Sequence, residues 1–145
     1  MQWRLKSFTE LINDELYDLL SLRSLVFVVE QNCVFHDMDG KDQKSMHLLG
    51  YEENKLVAYT RLVPPGVSYT EMAIGRVVTH PDSRRTGAGR ELMQQSIICI
   101  RELWGNHPIR IGAQLYLKKF YESFGFVQQG EMYLEDGIPH IEMVL

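Results

Sequence analysis

Val77-Val78-Thr79-His80-Pro81-Asp82-Ser83-Arg84-Arg85-Thr86-Gly87-Ala88-Gly89-Arg90-Glu91-Leu92 is the stretch with the most chemical potential. It reads as a strand, a turn, a basic glycine-containing loop and a helix start. Ile74 to Thr79 is apolar and β-branched enough for a strand. His80-Pro81-Asp82-Ser83 breaks it, because proline cannot donate to a ladder and Asp and Ser favour turns. Beyond Ala88 the residues Leu92, Met93, Ser96, Ile97, Ile100, Leu103 and Trp104 recur at helical spacing. Arg84-x-x-Gly87-x-Gly89 therefore lies where a helix presents free N–H groups and the positive end of its dipole. Glycine lets the main chain approach a bulky anion without a Cβ in the way. Arg84, Arg85 and Arg90 add charge. The chemistry on offer is a cradle for a phosphate or pyrophosphate. A P-loop would need Gly-Lys followed by Ser or Thr, whereas Gly89 is followed by Arg90-Glu91. A dinucleotide fingerprint needs a third glycine at fixed spacing. The bland alternative for the loop alone is a capped helix start with a solvated basic face.

A second cluster of chemically capable residues is His36, Asp37, Asp39 and Asp42, in the polar stretch Cys33 to Ser45. An EF-hand places glycine at the sixth position of its loop, but Gly40 directly follows Asp39, so the pattern fails. The expectation is an Asp/Gly turn with no metal.

These groups need elements to hold them. Trp3 and Leu5 alternate with Arg4 and Lys6 as a short strand. Thr9 is placed as an N-cap, and Leu11, Ile12, Leu16, Leu19, Leu20 and Leu22 make a helix continuing to Glu30. The β-branched run Val26 to Val29 weakens the helix locally. His47–Glu52 and Leu56–Val63 form a hairpin around Glu53-Asn54-Lys55. Glu71–Thr79 leads into the basic loop, and a helix runs from Ala88 to about Trp104. Ile109–Ala113 is a strand, and Leu117 to Gly125 a short helix ending on a glycine. Phe126–Tyr133 and Ile138–Leu145 are strands around the tight turn Asp136-Gly137. Pro139 indicates that the last strand's beginning is not centrally paired. The order is strand, long helix, four or so strands, helix, strand, short helix and two strands: a mixed α/β domain over residues 1–145.

At 145 residues the chain can bury a substantial core as one domain. A net charge of −4 gives no reason to expect nucleic acid as a partner. No stretch approaches the roughly 20 apolar residues of a membrane span, and no secretory signal opens the chain. Cys33 and Cys99 lie far apart, with no CxxC, so free thiols in the cytoplasm are expected.

Arg84-x-x-Gly87-x-Gly89, after a β-branched strand and before an amphipathic helix, resembles the acyl-CoA loop of the GNAT N-acetyltransferases. Phe120-Tyr121-Glu122-Ser123-Phe124-Gly125-Phe126 resembles the Phe-Tyr-x-x-x-Gly-Phe signature on that family's short fourth helix. Two motifs in the family's order are much more specific than either alone. Val26-Phe27-Val28-Val29-Glu30-Gln31-Asn32-Cys33 and Glu135-Asp136-Gly137-Ile138-Pro139-His140 further resemble its ElaA-type subgroup. Gln114 stands where many members carry Asn, and Leu117 where a small Ala is common.

The resemblance implies transfer of an acetyl group from acetyl-CoA to a primary amine by direct attack on the thioester, without a metal. It implies that Arg84, Arg85, Thr86, Gly87, Ala88, Gly89 and Arg90 hold the pyrophosphate. Pantetheine would pair along Val77, Val78 and Thr79 like an added strand, with Gln114 near its arm and one strand N–H facing the thioester oxygen. Tyr121 is the implied general acid, opposite the sulfur. An ammonium must lose a proton, and the candidate bases are Glu30, Glu71, His140 and Glu142. His140 and Glu142 share one strand face by period two. The implied partner is a small-molecule or peptide amine, with a homodimer admitted and neither nucleic acid nor membrane. The alternative is a non-catalytic acyl-CoA-binding or sensing domain.

Overall fold

The computed structural model describes residues 1–145. Its strands are β1 Gln2–Ser7, β2 Met46–Glu52, β3 Lys55–Val63, β4 Met72–Thr79, β5 Ile109–Gln114, β6 Val127–Glu135 and β7 Ile138–Val144. Its α-helices are α1 Asn13–Arg23, α2 Ala88–Trp104 and α3 Lys118–Glu122. Three strands, not four, separate α1 from α2. One sheet holds all seven in the order β1-β2-β3-β4-β5-β7-β6. Every neighbouring pair is antiparallel except β4 and β5.

Strand alternation sends side chains to two apolar faces. Leu49, Tyr51, Tyr59 and Val78 pack with Leu19, Leu22 and Val26 of the α1 side. Leu62, Ile74, Met93, Ile100, Ile111, Ile141 and Met143 pack together on the α2 side. Ile74 and Val78 would share a face in an unbroken strand. They do not, because β4 carries a bulge: Tyr59 pairs with Val78 and Arg61 with Gly75, leaving Arg76 and Val77 opposite Thr60. The extra residue flips the parity beyond it and bends the strand. Arg76 pays with a left-handed φ of 52°, rare for a residue with a Cβ.

Two local features differ from the sequence reading. Thr9 does not cap α1. The residue before the helix is Ile12, whose N–H donates to Oε1 of Glu15 at 3.0 Å. Glu15 is itself buried and takes Lys6 and Arg4 at 2.8 and 3.1 Å, tying β1 to the helix start. The break expected near Val26 is a π-helical segment, Ser24–Glu30. Gln31 N–H donates to Val26 C=O and Cys33 N–H to Val28 C=O, both five residues back. Widening the turn accommodates the valine branches that crowd a tighter one.

The stretch Cys33 to Ser45 is more than an Asp/Gly turn. Asp37, Asp39 and Asp42 receive arginines from three elements. Arg23 of α1 reaches Asp37 and Asp42, both at 2.8 Å. Arg61 of β3 reaches Asp39 at 2.8 Å and Asp42 at 2.9 Å. Arg76, on the bulge, reaches Asp37 at 2.8 Å. Guanidinium N–H groups occupy the carboxylate oxygens that a cation would need. His36 is exposed and takes no part.

Candidate active site

β4 and β5 pair only at Met72–Ile109 and Ala73–Arg110. Beyond Ala73 the strands separate, so the β5-facing edge of β4 keeps unpaired N–H and C=O groups from Ile74 onward. The gap between them is a cleft of about 1030 Å³. Val77, Val78 and Thr79 line it, as do Gly89 at the start of α2 and Tyr121 on α3.

The basic loop splits by role. Arg84 and Gly89 face the cleft. Ala88 is buried under the helix start, while Arg85, Thr86 and Gly87 are exposed. Gly87 is the N-cap of α2 with a φ of 85°, which a side chain would strain. Gly89 has ordinary backbone, and a Cβ there would find only the Phe120 ring, at 4.0 Å. Its missing side chain leaves open space beside the first-turn N–H groups. Arg90 turns away, over the Phe124 ring at 4.6 Å and to Ser123 Oγ at 3.0 Å. Arg84 is held by Glu30: Nη1 donates to Oε2 at 2.9 Å and Nη2 to Oε1.

The implied acid and the four candidate bases now separate. Tyr121 is 5% exposed, stacks edge-on with Phe120 and Phe126, and lines the cleft. Burial pushes its phenol well above the usual range, so it keeps its proton at neutral pH. Among the candidate bases, Glu30 is lowered from the usual carboxylate range by its hydrogen bonds to Arg84. Glu71 is lowered in the same way by Arg110, and that arginine also takes Glu142 at 2.9 Å. A carboxylate engaged by a guanidinium is a poor proton acceptor.

His140 differs. It is buried and lines the cleft, with Nδ1 2.7 Å from the carbonyl of Ile138. A carbonyl only accepts, so Nδ1 carries the proton of the neutral ring and Nε2 carries the lone pair. Nε2 lies 3.5 Å from Oε2 of Glu135, and the ring stacks on Tyr133 at 5.9 Å. Register explains the grouping: Gln114 of β5, His140 of β7 and Tyr133 of β6 are directly paired across three strands. His140 and Glu142 share one face, as period two requires. The first ladder contact of β7 with β5 is His140, so Pro139 pairs on one side only.

Several lining residues escaped the sequence reading. Glu135, Gln31, Tyr69 and Tyr116 all border the cleft. Gln31 accepts from Gln114 Nε2 at 3.3 Å, and Cys33 Sγ donates to Asp136 C=O at 3.4 Å. The end of the π-helical segment thus bridges the open sheet. Gly112 is bare for a reason: a Cβ there would meet the hydroxyls of Tyr133 and Tyr69 at 3.1 and 3.2 Å. The two-residue turn Asp136-Gly137 could have located Tyr133 and Glu135, because it fixes the pairing back from the turn. Nothing in the sequence marks Tyr69.

The decisive comparison is with the family model for the acetyltransferase (GNAT) domain, which matches residues 20–145. The chain belongs to the GNAT acetyltransferase family. Protein ElaA of Escherichia coli K12 is 41% identical over 145 residues, covering 99% of this chain and 95% of its own. The crystal structure of Escherichia coli ElaA superposes with a TM-score of 0.91 at 40% identity, covering 99% of both chains. An acyl-CoA N-acyltransferase from Pseudomonas aeruginosa gives 0.94 at 40% identity, over 99% of this chain and 97% of its own. The resemblance to the family, and to its ElaA-type subgroup, is borne out. As a GNAT protein the chain has the fold of acyl-CoA acyltransferases. No helix is long and apolar enough to cross a membrane.

Proposed function

We propose that residues 1–145 form one N-acetyltransferase domain that moves an acetyl group from acetyl-CoA to a primary amine. The observation that carries this reading is the separation of β4 from β5. It leaves an unpaired strand edge leading to the N-terminus of α2, with the Tyr121 phenol on one wall and the His140 imidazole on another.

Pantetheine amides match the free β4 edge as an added strand would. Gly89 leaves room for the pyrophosphate at the helix start, where α2 N–H groups and dipole favour negative charge. Arg84, Arg85, Thr86, Gly87, Ala88 and Arg90 complete that loop, and Gln114 stands at the end of β5 toward the pantetheine arm. His140 Nε2 takes the ammonium proton, and Glu135 faces the imidazolium that results. The amine nitrogen then bonds to the thioester carbon as a β4 N–H donates to the carbonyl oxygen. The carbon–sulfur bond breaks, Tyr121 gives its proton to the sulfur, and the surplus proton of the new carbon–nitrogen bond passes through solvent to restore the phenol. Glu142 holds Arg110 and leaves the proton to His140. The acceptor is a small molecule or a peptide, the setting the cytoplasm, and assembly as a homodimer is compatible with the site.

The test is a panel of amines incubated with acetyl-CoA, following free thiol release and the product's mass. Acceptor-dependent release with one added acetyl group supports the reading. CoA binding without acceptor-dependent release from any amine class would make this an acyl-CoA-sensing domain instead.

A further inference from the structure

Arg84 is the arginine of the basic loop that lines the cleft, yet in this structure both its Nη atoms are bonded to Glu30. The two residues come from elements 54 positions apart: the end of the π-helical segment and the loop before α2. Both side chains are partly open, 40% exposed for Arg84 and 38% for Glu30. They are reachable by a solute entering the cleft, and Glu30 lines the cleft as well.

A pyrophosphate at the start of α2 and the Glu30 carboxylate are competing anions for one guanidinium. The planar fork of arginine fits either of them with two parallel hydrogen bonds. We propose that Glu30 is a placeholder for the CoA pyrophosphate: CoA binding transfers Arg84 from Glu30 to phosphate and leaves Glu30 as an unpaired carboxylate in the cleft. This rests on the proposed CoA site at the α2 start.

Two consequences follow from the geometry. Closing the exchange costs little, because an exposed ion pair is weak and the guanidinium keeps an anionic partner throughout. The released carboxylate sits beside Gln31 on the segment that reaches Gln114 and Asp136, close to the row containing His140. There it attracts an ammonium, so the acceptor is favoured only after the acyl donor is in place. The substrate class is a cationic amine, bound second.

The experiment is calorimetric titration of the full chain with CoA, for the parent, Glu30→Ala, Arg84→Ala and the double variant, with thermal melts to confirm folding. Removing the competitor should tighten CoA binding by about three-fold, the order expected of an exposed pair. Arg84→Ala should weaken binding, and by a larger factor in the Glu30→Ala background than in the parent. A Glu30→Ala affinity equal to or weaker than the parent's overturns the exchange while leaving the CoA site intact. Absence of CoA binding by the parent overturns the site itself. A crystal structure with CoA is the second readout: retention of the two-pronged Arg84–Glu30 pair beside bound pyrophosphate also overturns the exchange.

Discussion

At the scale of single residues the proposed reaction depends on two protons held in opposite senses. Tyr121 must keep its own, and burial secures that by penalising the phenolate. Tyr121→Phe removes the hydroxyl and keeps the ring that packs against Phe120 and Phe126. CoA affinity should be unchanged, while kcat and kcat/KM fall together by about 10²-fold, the lower end for positioned acid catalysis. Parental kcat in the variant would leave Tyr121 as packing and give the proton to water. His140 acts as a base through Nε2, and the carbonyl of Ile138, bonded to Nδ1, sets the tautomer of the neutral ring that leaves Nε2 free to do so. His140→Gln should lower kcat/KM at neutral pH by about 10²-fold or more. The rate of the variant should then climb with pH, because solution deprotonates the amine in its place. A pH profile parallel to the parent's would show that another group takes the proton.

At the scale of elements, the helix α2 and the loop before it were legible because they obey local rules. The apolar spacing from Leu92 to Trp104 and the glycine at 87 fix where the helix begins and ends. The same held for the hairpin at Asp136-Gly137, where both residues take left-handed φ values of 51° and 77°. The β4 bulge was not legible, since it is fixed by pairing with β3 and by the hold of Asp37 on Arg76, both distant in sequence. Nor was Thr9's failure as a cap, because Glu15 reaches Ile12 from inside the helix. Gly89 is where element and site meet. Gly89→Val places branches into the open space at the helix start, with no backbone strain and only Phe120 nearby. Folding should persist, as a melt would show, and CoA binding should be lost to titration. Gly87→Val adds strain at a φ of 85° and should lower the melting temperature as well. If Gly89→Val bound CoA as the parent does, the pyrophosphate would have to lie elsewhere.

At the scale of the whole molecule, the aspartates of the Cys33–Ser45 stretch look like a solvated turn in sequence because their partners are far away. Arg23, Arg61 and Arg76 come from three different elements, so this ionic cluster locks the stretch onto the sheet. His47 is fully buried beside it, bonded through Nδ1 to the Tyr59 hydroxyl at 2.6 Å and through Nε2 to the Asp42 carbonyl at 2.9 Å. The stability of the fold should therefore respond to pH in two stages. Burial, with Arg23 and Arg61 close by, holds His47 below its ordinary value of 6.5. Below that value the unfolded chain binds a proton that the folded chain refuses, so stability is full above about pH 6.5 and declines as pH falls through the window beneath it. The carboxylates follow. Burial opposes their charge, but Arg61 holds Asp39 low, Arg23 holds Asp42 low and Lys6 holds Glu15 low. Their contribution is present above the ordinary values of 3.8 for Asp and 4.5 for Glu and is lost as pH falls further. Thermal melts from neutral pH downward should show a shallow decline followed by a steep one. His47→Gln should flatten the shallow limb and leave the steep limb in place, whatever it does to the plateau. A variant with the parent's slope between about pH 6.5 and 5 would assign that limb to a different group.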